Sequence, residues 1–383
     1  MKTWIGKQQA LIDFTLSSLS RRKLKNFGLL LVYALIVFLL ASVMLFTHAL
    51  RREAALVLKN TPEVIVQRMV AGRHDLIPPG YIEKLGRIRG VQHIEGRLWG
   101  YFYDPVVRAN YTFMAPTAGT INEIQIADSE IVIGAAVARE RGLEHGNLIS
   151  FRSYTGKLFV FTVASVLPHD AELVSADLVL LNPADYRAFF GIPADHYTDI
   201  ALSVANPQEV RNIAAKLSET LPDARLILRE EVLRTYESIF NWREGIVLVL
   251  LSGSILAFAI FAWEKASGLS AEEKREIGIL KAIGWETGDV LKMKFWEGAL
   301  VSLTAFLLGY VAAYWHVFHF STALFEPVLK GWSVLYPRFE LVPVVDGFQV
   351  ATLFFFTVFP YTVATIVPIW RAAITDPDAV MRG

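Results

Sequence analysis

The chain has 383 residues, 54% of them hydrophobic and 19% charged, with 37 basic side chains against 37 acidic ones and a mean hydropathy of +0.40. That is too apolar for an ordinary soluble enzyme, and a neutral chain lacks the basic footprint that grips nucleic-acid phosphates, so no nucleic-acid partner is expected. Without cysteine there is no disulfide, thiolate metal site or cysteine nucleophile.

The apolar residues are gathered into blocks. Residues 1–26 hold Leu11, Phe14, Leu16 and Leu19 ahead of the basic cluster Arg21, Arg22, Lys23 and Lys25. This pattern suits a cytoplasmic amphipathic helix lying in the membrane interface. Residues 27–50 are 24 positions without a charge, long enough to span a bilayer. A signal peptide would have a shorter apolar core and a small-residue cleavage site, whereas His48-Ala49-Leu50 runs into Arg51-Arg52, so a retained anchor is read.

Residues 51–244 change character, with short mixed elements that read as a water-facing α+β domain. Tyr81–Ile88 is expected as a short helix after Pro78-Pro79-Gly80. Glu130–Gly134 reads as a strand leading into a helix, Ala135–Arg141, stopped by Gly142. Leu158–Val166 and Asp177–Leu181 read as strands and Gln208–Thr220 as a helix. From Leu226 to Gly245 no residue breaks a helix, which suggests a rigid stalk continuing into the second span. Arg51–Lys59 could extend the first span in the same way.

Three more spans follow, at 245–263, 295–317 and 348–370. Trp242 and Trp263 bracket the first of them, Trp296 and Trp315 the next, and Trp370 closes the last, where indoles settle at headgroup level. Lys and Arg number six before the first span, six in the 264–294 connection and two in the 318–347 loop, so both termini, including the 371–383 tail, are placed in the cytoplasm. The 51–244 segment is then outside. The expected fold is a multi-pass α-helical membrane protein with four transmembrane helices, one plus three, and an extracytoplasmic α+β domain.

In the cytoplasmic connection, Ser270 and Glu273 form a capping box, Gly284 suits a helix C-terminus, and Thr287 could cap the helix that becomes span three. Ile277, Leu280 and Ile283 fall on one face and Lys274, Arg275 and Lys281 on the other, with Glu272 and Glu276 near the stripe. This imperfectly amphipathic helix leaves charge available to a cytoplasmic partner.

The run Lys274-Arg275-Glu276-Ile277-Gly278-Ile279-Leu280-Lys281-Ala282-Ile283-Gly284 resembles the cytoplasmic signature of FtsX-like permeases, the membrane subunits of type VII ABC transporters of the MacB, LolC and LolE type. Pro368, Arg371, Asp376 and Pro377 resemble the closing cytoplasmic motif of that family, and Leu19–Leu24 its lead into span one. The resemblance implies an outward domain of MacB periplasmic-core type and residence in the bacterial inner membrane. It further implies a homodimer or a pair with a related permease, seated on a separate ABC ATPase that binds the ATP.

On this resemblance Lys274, Arg275, Glu276, Ile277, Gly278, Leu280, Lys281, Gly284 and Trp285 form an ATPase-coupling helix. Trp285 stands where relatives more often have a small residue, which suggests tuning of that contact. Motion would pass to the outward domain by mechanotransmission, for export or extraction of a lipid, lipoprotein or drug-like amphiphile. A periplasmic adaptor or outer-membrane channel could assist. The alternative is a non-transporting transducer that activates a cell-wall hydrolase.

Catalytic signatures are missing. Gly156-Lys157 has Phe151 where a phosphate loop needs glycine, and neither H-E-x-x-H nor G-x-S-x-G occurs, so no catalytic, cofactor or metal residue is assigned. His316 and His319 read as an interfacial pair rather than metal ligands. Glu297 reads as a carboxylate within reach of water, Lys292 or Lys294, and Pro360 and Pro368 are expected to break span four.

Overall fold

The computed structural model describes residues 2–21, 23–59, 61–116, 125–168, 172–235, 249, 252–253, 256–257, 260, 271–327, 333–338 and 341–374. The expected span at 245–263, Ser270 of the capping box, and Asp376 and Pro377 lie almost wholly outside these residues. The chain divides into two compact units, one of helices (1–50, 240–323, 341–383) and one built on a sheet (51–239, 324–340).

In the helical unit, α1 spans Lys2–Arg21 and α2 Lys23–Lys59. Further on come α9 (Ala271–Ala282), α10 (Thr287–Phe318) and α11 (Gly347–Ile374). Two described stretches, Asn26–Leu56 and Thr287–Phe318, are long and apolar enough to cross a bilayer, and α11 carries a shorter apolar stretch, Gly347–Val363. The helices approach closely where side chains are small. A Cβ on Gly309 of α10 would lie 2.5 Å from the Ala34 carbonyl oxygen and 2.8 Å from Val37 Cβ, so only glycine fits there.

On the same α2–α10 seam His316 Nδ1 lies 3.2 Å from Ser42 Oγ and its ring meets Phe38 edge-on. The His319 ring instead packs on Trp315 and Phe320. The Tyr33 hydroxyl donates to the Thr357 carbonyl at 2.5 Å, tying α2 to α11. Contrary to expectation, α11 runs unbroken through Pro360 and Pro368. Neighbouring helices can hold a proline-containing helix in place, and here Thr357 and Thr362 also donate back to the Leu353 and Val358 carbonyls.

The other unit contains β1 (Val64–Val70), β2 (Arg73–Asp75), α3 (Gly80–Gly86), β3 (Val91–Asp104), β4 (Ala109–Ala115), β5 (Glu130–Ile133) and α4 (Ala135–Arg141). It continues with β6 (Leu148–Arg152), β7 (Leu158–Val166), α5 (Glu172–Ser175), β8 (Leu178–Leu181), α6 (Pro183–Phe190), β9 (Asp199–Val204), α7 (Val210–Thr220), β10 (Ala224–Leu228) and α8 (229–235). The strands join in the order β10-β1-β9-β3-β4-β8-β5-β7-β6, with β2 attached to β1. The β4–β8 and β5–β7 pairs are parallel and the rest antiparallel.

β3 is the shared element. Its first half, Val91–Arg97, pairs with β9 and its second half, Leu98–Asp104, with β4. Each half belongs to its own core. One is aliphatic, built on Val64, Val66, Leu85, Ile200, Leu202 and Leu217. The other is aromatic, with Phe102, Phe113, Phe151 and Phe189 in mutual ring contact. At the seam Arg97 grips buried Asp199 through two 2.7 Å bonds, and the Trp99 indole donates to the same carboxylate at 2.9 Å.

The expected stalk helix begins later than the pattern suggested. Leu226 and Leu228 alternate with Arg225 and Ile227 and pair with Val66 and Val64 of β1, so 224–228 is an edge strand and the helix starts at 229. Local propensity favoured a helix, but burial of two leucines beside the aliphatic core decides otherwise.

Candidate coupling site

The residues singled out between positions 274 and 285 sit on α9 and the turn after it. α9 ends because Gly284 adopts φ +99°, a left-handed value open to glycine. The Gly284 N–H then donates to Lys281 O and the Trp285 N–H to Leu280 O, both at 3.0 Å, the double bond of a Schellman motif. Glu286, in extended conformation, takes the N-cap position of the next helix without a side-chain capping bond, and Thr287 is its first helical residue. Asp289 in that first turn complements the helix dipole.

One face of α9 is anchored. Ile277 packs with Val290 and Trp285, while Leu280 meets Leu11 and Met293, with Phe14, Trp285 and Trp296 around them. Glu276 forms an ion pair with Arg21 of α1 at 3.2 Å. The Trp285 ring lies 5.5 Å from that of Phe14, and the Trp296 indole donates to Gln8 at 2.9 Å. Trp285 is therefore a packing residue between α1, α9 and α10, which accounts for a large side chain at this position.

The exposed face differs from the one expected. Ile283 is 69% exposed and Ile279 48% exposed, beside exposed Arg275, while Gly278 is buried and Lys281 half-buried. The stripe Ile277–Leu280–Ile283 fails at its last member because Ile283 is the residue next to the Gly284 stop, where the chain turns away. Only the backbone of Lys274 is described. α1 also departs from its pattern: Leu11, Thr15 and Ser18 are buried at a 3–4 spacing, and Leu16 is exposed.

Between α1 and the start of α10 lies a pocket of about 300 Å³ lined by Ala10, Leu11, Phe14, Trp285 and Asp289. Further along α10, Lys294 and Glu297 form a 2.6 Å ion pair with both side chains buried, which satisfies the carboxylate noted in the sequence. Pro368 and Arg371 lie on the last turns of α11.

Sequence reasoning missed a second construction, in the sheet unit. Residues 333–338, between α10 and α11, lie against the aromatic core through Val334 and Leu335. Arg139 of α4 donates to the Tyr336 carbonyl and pairs with buried Glu172. The apolar Val334-Leu335 step in an otherwise irregular loop was the available signal.

Residues 245–377 match the family model FtsX-like permease C-terminal. The chain is 24% identical over 283 residues to the lipoprotein-releasing system transmembrane protein LolC of Neisseria meningitidis serogroup B, covering 69% of this chain and 68% of that one. It is 21% identical over 327 residues to the LolC protein of Xylella fastidiosa, covering 79% and 76%. The extracellular domain of the noncanonic ABC-type transporter YknZ from Gram-positive bacteria aligns over 98% of its own length and 43% of this chain, at 11% identity and a TM-score of 0.29. The family match takes in α9, α10 and α11, and the chain is similar to the LolC proteins over more than two thirds of its length, which is consistent with an FtsX-like permease of the LolC type.

Proposed function

We propose that this permease crosses the inner membrane four times with both termini in the cytoplasm. It works as a homodimer or with a related permease and turns the ATP cycle of a separate ATPase into movement of its outward sheet unit. The work done is extraction of a lipidated protein or similar amphiphile from the membrane, in keeping with relatives named for lipoprotein release. The observation that carries the reading is the division of α9. Its Ile277–Leu280 face is fixed to α1 and α10, while Arg275, Ile279 and Ile283 face outward, exposed among the described residues of this unit. An apolar pair beside a cation on a firmly held helix is a fit surface for a driven contact.

The test is to purify the tagged chain in mild detergent with its ATPase and measure hydrolysis. Ile279→Asp with Ile283→Asp should abolish stimulated hydrolysis while the chain still elutes as a single species. Stimulation equal to wild type in that variant would end the coupling assignment.

A further inference from the structure

The pocket beside α9 offers chemistry that an apolar docking face does not. Its walls are Ala10, Leu11 and the rings of Phe14 and Trp285, and its polar group is the Asp289 carboxylate. Exposed acids are next in sequence to two lining residues: Asp13 before Phe14 on α1, and Glu286 after Trp285, just ahead of α10. The facing cations are Lys292, 3.4 Å from Asp289, and Arg21, which pairs with Glu276 and lies 5.9 Å from the Phe14 ring centre. Along the chain the pocket adjoins the exposed end of α9, since Trp285 follows Ile283 and Gly284.

We propose that this pocket receives a basic side chain, arginine or lysine, from the partner ATPase, which extends the α9 contact into a second, charge-selective one. The inference rests on the coupling reading above. Charge complementarity and continuity with the α9 face argue for this occupant. A guanidinium or ammonium group would sit against the indole of Trp285, within reach of Asp289, while its methylenes covered Leu11 and Ala10. Because Arg21 already covers the Phe14 ring, Trp285 supplies the aromatic surface for the newcomer. A lipid phosphate is a poor occupant, since the charged side chain that lines the pocket is the Asp289 carboxylate.

The experiment places a photoreactive benzoylphenylalanine at Ala10, and separately at Ile279, in the full chain in native membranes, and identifies adduct peptides by mass spectrometry. The expected result is that both positions capture the ATPase, with the Ala10 adduct in a peptide carrying the basic residue. Asp289→Lys should lower the ATPase retained on the purified chain by roughly tenfold. Asp289→Asn, which keeps the shape, should lower it less and weaken its dependence on salt. Capture at Ile279 with only lipid or no adduct at Ala10 would overturn the pocket assignment and leave the coupling reading standing, as would full retention in both Asp289 variants. Capture at neither position would overturn the coupling reading itself.

Discussion

Arg139 and Tyr336 are 197 positions apart in sequence, yet the Arg139 guanidinium donates to the Tyr336 carbonyl at 2.6 Å while its other terminal nitrogen meets the Glu172 carboxylate at 2.9 Å. Glu172 is fully buried, so the arginine both neutralises it and holds 333–338 on the aromatic core. Arg139→Ala removes the cation from beside a buried carboxylate and should destabilise the sheet unit by about 2–4 kcal/mol. Arg139→Lys keeps one charge but cannot serve two acceptors in fork geometry. In that variant amide exchange at Val334–Tyr336 should quicken several-fold while β4 and β8 stay protected. Exchange at the wild-type rate would show that the segment is held by Val334 and Leu335 alone.

Gly309 sets the distance between α2 and α10. Gly309→Val must push against the Ala34 carbonyl and Val37, neither of which is a flexible side-chain end, and should cost about 1–3 kcal/mol. Thermal unfolding in detergent would read this as a lowered midpoint. A cysteine pair introduced at Ser42 and His316, whose side chains are 3.2 Å apart, should crosslink less readily when combined with Gly309→Val.

The buried Lys294–Glu297 pair lends itself to a double-substitution test. Glu297→Leu alone strands the ammonium and should destabilise by about 3–5 kcal/mol, whereas Lys294→Met with Glu297→Leu should recover most of that loss, because two apolar side chains replace two desolvated charges. A double variant as unstable as the single one would show that other contacts of the pair matter more.

Glu230, at the start of α8, accepts from Arg211 of α7 at 2.6 Å and also pairs with Arg234. The Arg211 hydrogen bond, aided by Arg234, holds its carboxyl below the ordinary 4.5. A carboxyl depressed in the folded state contributes stability that is complete above its unfolded value and fades as pH falls through the folded one. The tie therefore persists at pH 5 and is lost as pH falls through a value lower than that of an unpaired glutamate. Since the groups are exposed, the effect on unfolding is small and the sharper readout is NMR titration of a labelled Glu230, which Arg211→Ala should move upward. An unmoved titration in Arg211→Ala would remove this arginine as the cause.

Much of the sheet unit was legible because its strands are bounded by residues with a mechanical reason to stop them. Leu158–Val166 was read with its observed ends, and Glu130–Ile133 with α4 ends at Gly142, which is left-handed as required. β10 was illegible because an edge strand beside Val64 and Val66 is a long-range fact, while its residues suit a helix equally well. Ile283 misled for a similar reason: periodicity describes a helix that continues, and this one ends at the next residue. The 333–338 segment has no period at all. Its place is set by Arg139 and by the aromatic core, which no pattern along the chain could announce.

A consequence follows from β3. The two cores share the middle of one strand, clamped at the crossover by Arg97, Asp199 and Trp99. Rotation of one core against the other would need a few residues free to change φ and ψ, and a paired strand offers none. Torque applied at either end of the sheet unit therefore turns both cores as one lever. Inserting a single residue between Arg97 and Leu98 would do more than lengthen it. Every side chain from Leu98 to Asp104 would change faces, bringing Tyr101 and Tyr103 inward and Phe102 out into solvent.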